Sequence, residues 1–294
     1  MAPALGALRC LRLHGHAEAR VNVARIIQRK IDALAADKRT AGAAYLLAAR
    51  LAIALGQTGE AIDKASVAVR ELPKLGVAWR ILGEAAMASE QWGRAVEAFR
   101  HAAKLGLRAA PGTWERLADA LDELGDLEGA EKAARKALAL TGKDPNARRR
   151  RLSLLAVILK HRGERKAALE VIRDALALGK DDPAVIHNYA AITEALGKPT
   201  KAIARYKRAL SLTPAPTTYW RLAHVLLKLD RPEEALKALL RGAGMMDRWS
   251  WPASTRWWVS FDLGKLYAKA RLNKRALDWF GDALMEARDA DATQ

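Results

Sequence analysis

The stretch Trp79-Arg80-Ile81-Leu82-Gly83, followed by Ala95, Phe99 and Ala102, decides the fold because its pattern recurs. Leu263-Gly264 with Tyr267, Ala276, Phe280 and Ala283 repeats it, and Trp114, Leu117, Ala118, Ala130, Ala134 and Ala137 give a third copy. Aligned on the central alanine, units start near Gly42, Gly76, Pro111, Arg149, Pro183, Pro216 and Trp257. A fixed period of about 34 residues marks a stacked array, in which each unit buries its apolar face on its neighbours.

Within the second unit, Trp79, Leu82 and Ala86 fall at i, i+3 and i+7, one apolar stripe of a helix. Ala95, Phe99 and Ala102 form the facing stripe. Small residues at Gly83, Ala95 and Ala102 let two helix backbones approach closely, with Phe99 and Trp79 filling the space beyond. Gly59, Gly125, Gly163 and Gly197 are expected between the two helices of their units, where a left-handed helix end favours glycine. Pro73, Pro145, Pro183 and Pro214 fall between units, where one helix stops and another starts.

These residues resemble the tetratricopeptide repeat, a pair of antiparallel helices. The resemblance covers most of the chain through recurrence, since no single unit matches the family pattern fully. It implies an all-α, right-handed superhelical solenoid of about seven helix pairs. The array is expected over 42–290, preceded by a tail and capping helix in 1–41 and followed by a short tail, 291–294.

Composition agrees with this. Hydrophobic residues make up 51% of the chain and are dominated by alanine and leucine, both strong helix formers. No strand-period alternation of useful length occurs, and no apolar run reaches the roughly 18 residues that span a bilayer. The single cysteine, Cys10, excludes an internal disulfide framework. A cytoplasmic location is the expectation. Residues 1–17 lack the uninterrupted apolar core of a secretory signal, because Arg9 and Arg12 break it, and they read as a tail. From Glu18 to about Asp37 the pattern is helical, with Val23, Ile26, Ile27, Ile31 and Leu34 on one face and Arg20, Arg25, Arg29 and Lys30 on the other. That helix is expected to cap the first repeat.

Charge adds a clue: 50 basic residues stand against 33 acidic ones, a formal net charge of +17. The excess concentrates around the run Arg148-Arg149-Arg150-Arg151, whereas the unit beginning at Pro111 is acidic. Four consecutive arginines circle the start of a helix, so not all of them can face one ligand. They also oppose the helix dipole, which prefers acids there.

The resemblance places a ligand along the concave surface, lined by the first helix of each unit. In the third unit it nominates Glu115, Asp119, Asp122 and Glu123 as an acidic band, with Arg116 among them. In the fourth it nominates Arg150, Ser153, Lys160 and His161, and in the fifth His187, Asn188 and Glu194. Trp220, Arg221, His224 and Lys228 follow in the sixth, and Trp258, Phe261, Asp262, Lys265 and Lys269 in the seventh. Trp220 is the sharpest candidate, because Tyr219, Leu222, Ala223 and Leu226 already supply the apolar stripe of its helix; packing on the neighbouring unit is the equal alternative. Four tryptophans, Trp249, Trp251, Trp257 and Trp258, crowd the lengthened connection before the last unit. They either seal that loop or form an interface.

The lysines and asparagines with which chaperone-tail-binding members of the family clamp a terminal carboxylate are missing, since Leu46, Leu47, Arg50, Val77 and Ile81 hold the corresponding positions. No metal-binding spacing, nucleophile elbow or phosphate loop stands out. Gly197-Lys198-Pro199-Thr200 lacks the upstream glycine of a phosphate loop. No enzyme activity, metal or cofactor is expected. The sequence points to a scaffold that binds a protein or peptide partner in its groove. The alternatives are nucleic acid or another polyanion on the arginine run, and a helper role in a larger envelope, polysaccharide or secretion assembly. Self-association through the tryptophan-rich region is a further option.

Overall fold

A computed structural model describes residues 17–37, 40–245, 253–269 and 273–291. These residues form fifteen α-helices and no strand. The chain divides into two compact units, Met1–Asp144 and Pro145–Gln294.

In the first unit, α1 (Ala17–Ala35) precedes three antiparallel pairs: α2 (Ala41–Leu55) with α3 (Thr58–Glu71), α4 (Gly76–Ala88) with α5 (Trp92–Ala102), and α6 (Pro111–Leu124) with α7 (Leu127–Ala139). The second unit holds four: α8 (Pro145–His161) with α9 (Arg165–Ala177), α10 (Pro183–Ala195) with α11 (Pro199–Leu212), α12 (Pro216–Lys228) with α13 (Pro232–Ala243), and α14 (Ala253–Lys269) with α15 (Asn273–Asp291). Within each unit the second helix of a pair packs on the first helix of the next, and α1 packs on α2. This is the helix-pair array that the period implies. The fourth pair starts at Pro145, one turn ahead of Arg149, because proline is well suited to a first helical position.

The second pair shows how the repeat closes. Ala95, Phe99 and Ala102 are fully buried, as is Ala86, and Leu82 is nearly so. A Cβ on Gly83 would lie 2.8 Å from the Phe99 ring, so only glycine lets α4 and α5 approach this far. Trp79 is half-buried at the edge instead of filling the core: its Nε1–H donates to the Pro73 carbonyl at 2.9 Å and its ring stacks on His101 at 4.3 Å. Trp114 repeats the device on the Arg108 carbonyl, at 2.8 Å. Each tryptophan thereby ties the start of a repeat to the linker before it.

The turn inside each of the first six pairs contains one residue with positive φ. Gly125, Gly163 and Gly197 hold this place as expected, but in the first pair it falls to Gly56 (φ 79°), while Gly59 lies inside α3. Glu90 (φ 58°) and Asp230 (φ 54°) do the same without glycine, a conformation that costs an L-residue about 1–2 kcal/mol. In α1, Ile27 and Ile31 are buried against Ala44 and Leu51, with Val23 and Leu34 alongside. Ile26, read as part of this apolar face, is instead 58% exposed.

Candidate functional site

The first helices of the second unit, α8, α10, α12 and α14, carry a line of polar side chains that bond from each repeat to the next. Asn188 Nδ2 on α10 donates to Ser153 Oγ on α8 at 2.9 Å. His187 Nδ1 shares a hydrogen bond with Thr218 Oγ1 on α12 at 2.9 Å. Lys228 Nζ donates to Glu194 Oε1 at 2.9 Å, linking α12 back to α10. Trp220 Nε1–H donates to Asp262 Oδ2 on α14 at 3.2 Å. Ser153, Asn188, Glu194, Trp220, Lys228 and Asp262 were all legible as face positions; which of them bond to which was not.

Trp220 turns out to belong to both readings. It packs against the apolar cluster of Leu222, Leu226 and Leu263, so it stitches α12 to α14. Its outer face supports the Arg221 guanidinium 4.9 Å from the ring centroid, with His224 stacked 6.0 Å away. Among the described residues, Arg221 pairs with no carboxylate. Trp220→Phe keeps an aromatic ring but leaves the buried Asp262 one donor short. A hydrogen bond to a charged group is worth about 1.5–3 kcal/mol, so a loss of that order is expected in urea denaturation, with helicity unchanged.

Burial and nearby cations both act on the histidines of this face. Burial, with help from Arg221 and Lys160, lowers the His187 pKa to about 4, so His187 is neutral at pH 7. Burial and Lys228 lower that of His224 as well. Tyr206, fully buried beneath, aims its hydroxyl at Glu194 at 3.5 Å, and burial together with that carboxylate pushes its pKa well above the ordinary phenol value. Phe261 is exposed, with the Lys265 ammonium 4.8 Å from its ring centroid and Lys265 also paired to Asp262 at 2.5 Å. Trp249 and Trp251 lie outside the described residues, as do the side chains of Trp257 and Trp258.

The arginine run does not present a single basic surface. Arg148 and Arg150 are exposed, but Arg151 is 7% exposed, in line with Ala147, Leu155 and Ile158 on the buried side of α8. Arg149 reaches across to Asp182, whose Oδ2 accepts from its Nε at 2.9 Å. The other oxygen of Asp182 caps α10, accepting from the backbone N–H of Ala184 and Val185 at 3.0 and 3.2 Å. Two of the four arginines are therefore structural, and the expected four-residue patch is reduced to alternating exposed positions.

In the first unit, α6 carries the acidic residues on one side. Asp119 pairs with Arg116 at 3.4 Å, yet its pKa rises to about 6, because burial and the neighbouring Glu115 and Asp122 carboxylates outweigh the arginine. Glu123 is exposed one turn further along. Glu115, Asp119, Asp122 and Glu123 thus give α6 an acidic side, whereas α12 carries Arg221, His224 and Lys228.

Among the described residues no cluster of three or more histidine, cysteine, aspartate or glutamate side chains is placed to hold a metal. No described helix is long and apolar enough to cross a membrane.

Comparison with known proteins agrees with this architecture. One tetratricopeptide repeat model matches residues 82–147 and 194–245, and a second such model matches 152–186. The chain belongs to the tetratricopeptide repeat family, whose fold serves as an interaction scaffold. A tetratricopeptide repeat protein from Parabacteroides merdae superposes with a TM-score of 0.67 at 13% identity, over 83% of this chain and 93% of that one. A thermophilic member from Thermus thermophilus aligns at 24% identity with a TM-score of 0.53, over 67% of this chain and 99% of its own. A chain of the APC/C hetero-tetramer Cut9–Hcn1 gives a TM-score of 0.61 at 16% identity over 93% of this chain, which spans about half of that longer protein. No curated protein matches the sequence.

Proposed function

We propose that the protein is a non-catalytic scaffold whose second unit binds an acidic stretch of a protein partner on its first-helix face. The observation that carries this reading is Arg221. It is held over the Trp220 ring, lacks a carboxylate partner among the described residues, and lies close enough to depress His187. An incoming carboxylate would find a preplaced guanidinium, two largely neutral imidazoles and the exposed Phe261 ring. The bonds between neighbouring first helices hold these groups in place before a partner arrives, which lowers the ordering cost of binding.

Arg221→Ala removes the charge while leaving the Trp220–Asp262 bond intact. It is expected to weaken partner capture from nuclease-treated lysate by about tenfold, the equivalent of 1.4 kcal/mol, with no change in helicity. Equal capture by the variant overturns the assignment. Recovery of nucleic acid alone, lost on nuclease treatment, would transfer the function to the polyanion reading, for which Arg148 and Arg150 remain exposed.

A further inference from the structure

The first unit contains a cleft of about 800 Å³ that the first-helix reading does not touch. It opens between the end of α5, the linker after it, and the pair α6/α7. Its floor is apolar: Leu117 and Leu121 from α6, Ala103, and Ala133 from α7, with the Trp114 ring at the side. Its rim is basic throughout. Arg100, Lys104 and Arg108 recur every four residues along one edge, and Lys132 and Lys136 stand one turn apart on the other. No carboxylate lines it.

Charge pairing separates these five cations. Lys132 is bonded to Glu128 at 2.6 Å. Arg100, Lys104, Arg108 and Lys136 have no carboxylate partner among the described residues, and all four are exposed. The geometry is fixed locally. The chain leaves α5 through a widened turn, Ala103–Leu107, in which Gly106 adopts φ 98°, and Trp114 locks onto the Arg108 carbonyl. The opposite side of α6 carries Glu115, Asp119 and Asp122, so one helix separates an acidic surface from a basic cleft.

We infer that this cleft is a second binding site, taking an acidic peptide segment that inserts one large apolar side chain between flanking carboxylates. The volume is that of a small-ligand site, and an apolar floor inside a ring of cations matches such a segment. An open cleft with charges on two opposite edges suits a chain crossing it, with acids on both sides of the anchor. It is independent of the Arg221 site, which belongs to the other unit.

The test uses fluorescein-labelled nine-residue peptides with two glutamates on each side of one varied central residue. Polarisation is measured against the full chain, Lys104→Glu/Lys136→Glu and Arg221→Ala. Peptides with central Leu, Phe or Trp are expected to bind about tenfold more tightly than those with central Ser or with Gln replacing Glu, a 1.4 kcal/mol margin. The double charge reversal should remove about tenfold or more, Arg221→Ala should change little, and raised salt should weaken binding. Lys104 and Lys136 are surface residues, and an unchanged thermal transition shows that the double variant is folded; Lys136→Glu alone provides a milder second test. The proposal is overturned if no peptide binds, if central Ser binds as well as Leu, or if the folded variants bind like the parent. It is also overturned if only phosphatidylglycerol vesicles respond to the charge reversal.

Discussion

Phe99→Ala is expected to lower the stability of the first unit by about 3–5 kcal/mol, the usual cost of emptying a fully buried phenylalanine site. The ring lies between α4 and α5 against Gly83, where a Cβ would approach to 2.8 Å. The same contact gives a sharper expectation. Gly83→Ala in the parent protein should destabilise by about 1–3 kcal/mol through overpacking. In the Phe99→Ala background the clash is gone, and alanine's helix preference should make the same change stabilising by about 0.5–1 kcal/mol. Urea denaturation of the four proteins measures this reversal of sign. Additive effects would show that Gly83 and Phe99 do not touch.

Acid is expected to weaken the second unit through His187. Its folded pKa of about 4 lies below the ordinary value of 6.5, so between these limits the unfolded chain binds more protons. Stability from this group is therefore complete above pH 6.5 and is lost as the pH falls toward 4. The size is on the order of 3 kcal/mol, since one pKa unit corresponds to 1.36 kcal/mol. The cause is burial first, then Arg221 and Lys160; Thr218 holds the other side of the ring. His224 contributes in the same direction. His187→Gln keeps a polar partner for Thr218 but does not titrate, and should reduce the fall in unfolding free energy between pH 7 and 4.5 by an amount on that order. An unchanged difference would place the acid sensitivity elsewhere. Asp119 acts with the opposite sign: its raised pKa means that its contribution is lost as the pH rises through about 6.

Much of the helix-pair arrangement was legible because it rests on repetition. An alanine corresponding to Ala95 recurs in each copy, and Pro111, Pro145, Pro183 and Pro216 each open the first helix of a pair. Positions where copies differ were harder to read. Glu90 and Asp230 adopt positive φ although neither is glycine, so the turn had no mark in the sequence. Gly56 and Gly59 lie three residues apart, and composition alone does not choose between them. Arg151 shares its helical face with Ala147, Leu155 and Ile158; that spacing was visible, but the charge drew the reading toward solvent. Trp220 was visible as a face residue, yet its bond to Asp262 joins positions 42 residues apart in sequence. The basic cleft escaped because family resemblance directs attention to first helices, whereas Arg100, Lys132 and Lys136 lie on second helices.

The hydrogen bonds between adjacent first helices have an evolutionary consequence. Ser153 is matched to Asn188, Thr218 to His187, and Glu194 to Lys228, and Arg221 stands one period after Asn188. Deleting residues 183–215 would preserve helix phase, but it would place Arg221 where Asn188 faces Ser153 and leave Lys228 without its glutamate. The repeats are interchangeable in outline and unique in their mating surfaces. Such an array tolerates drift within a copy more readily than duplication or loss of one, so its length is expected to be inherited as a unit.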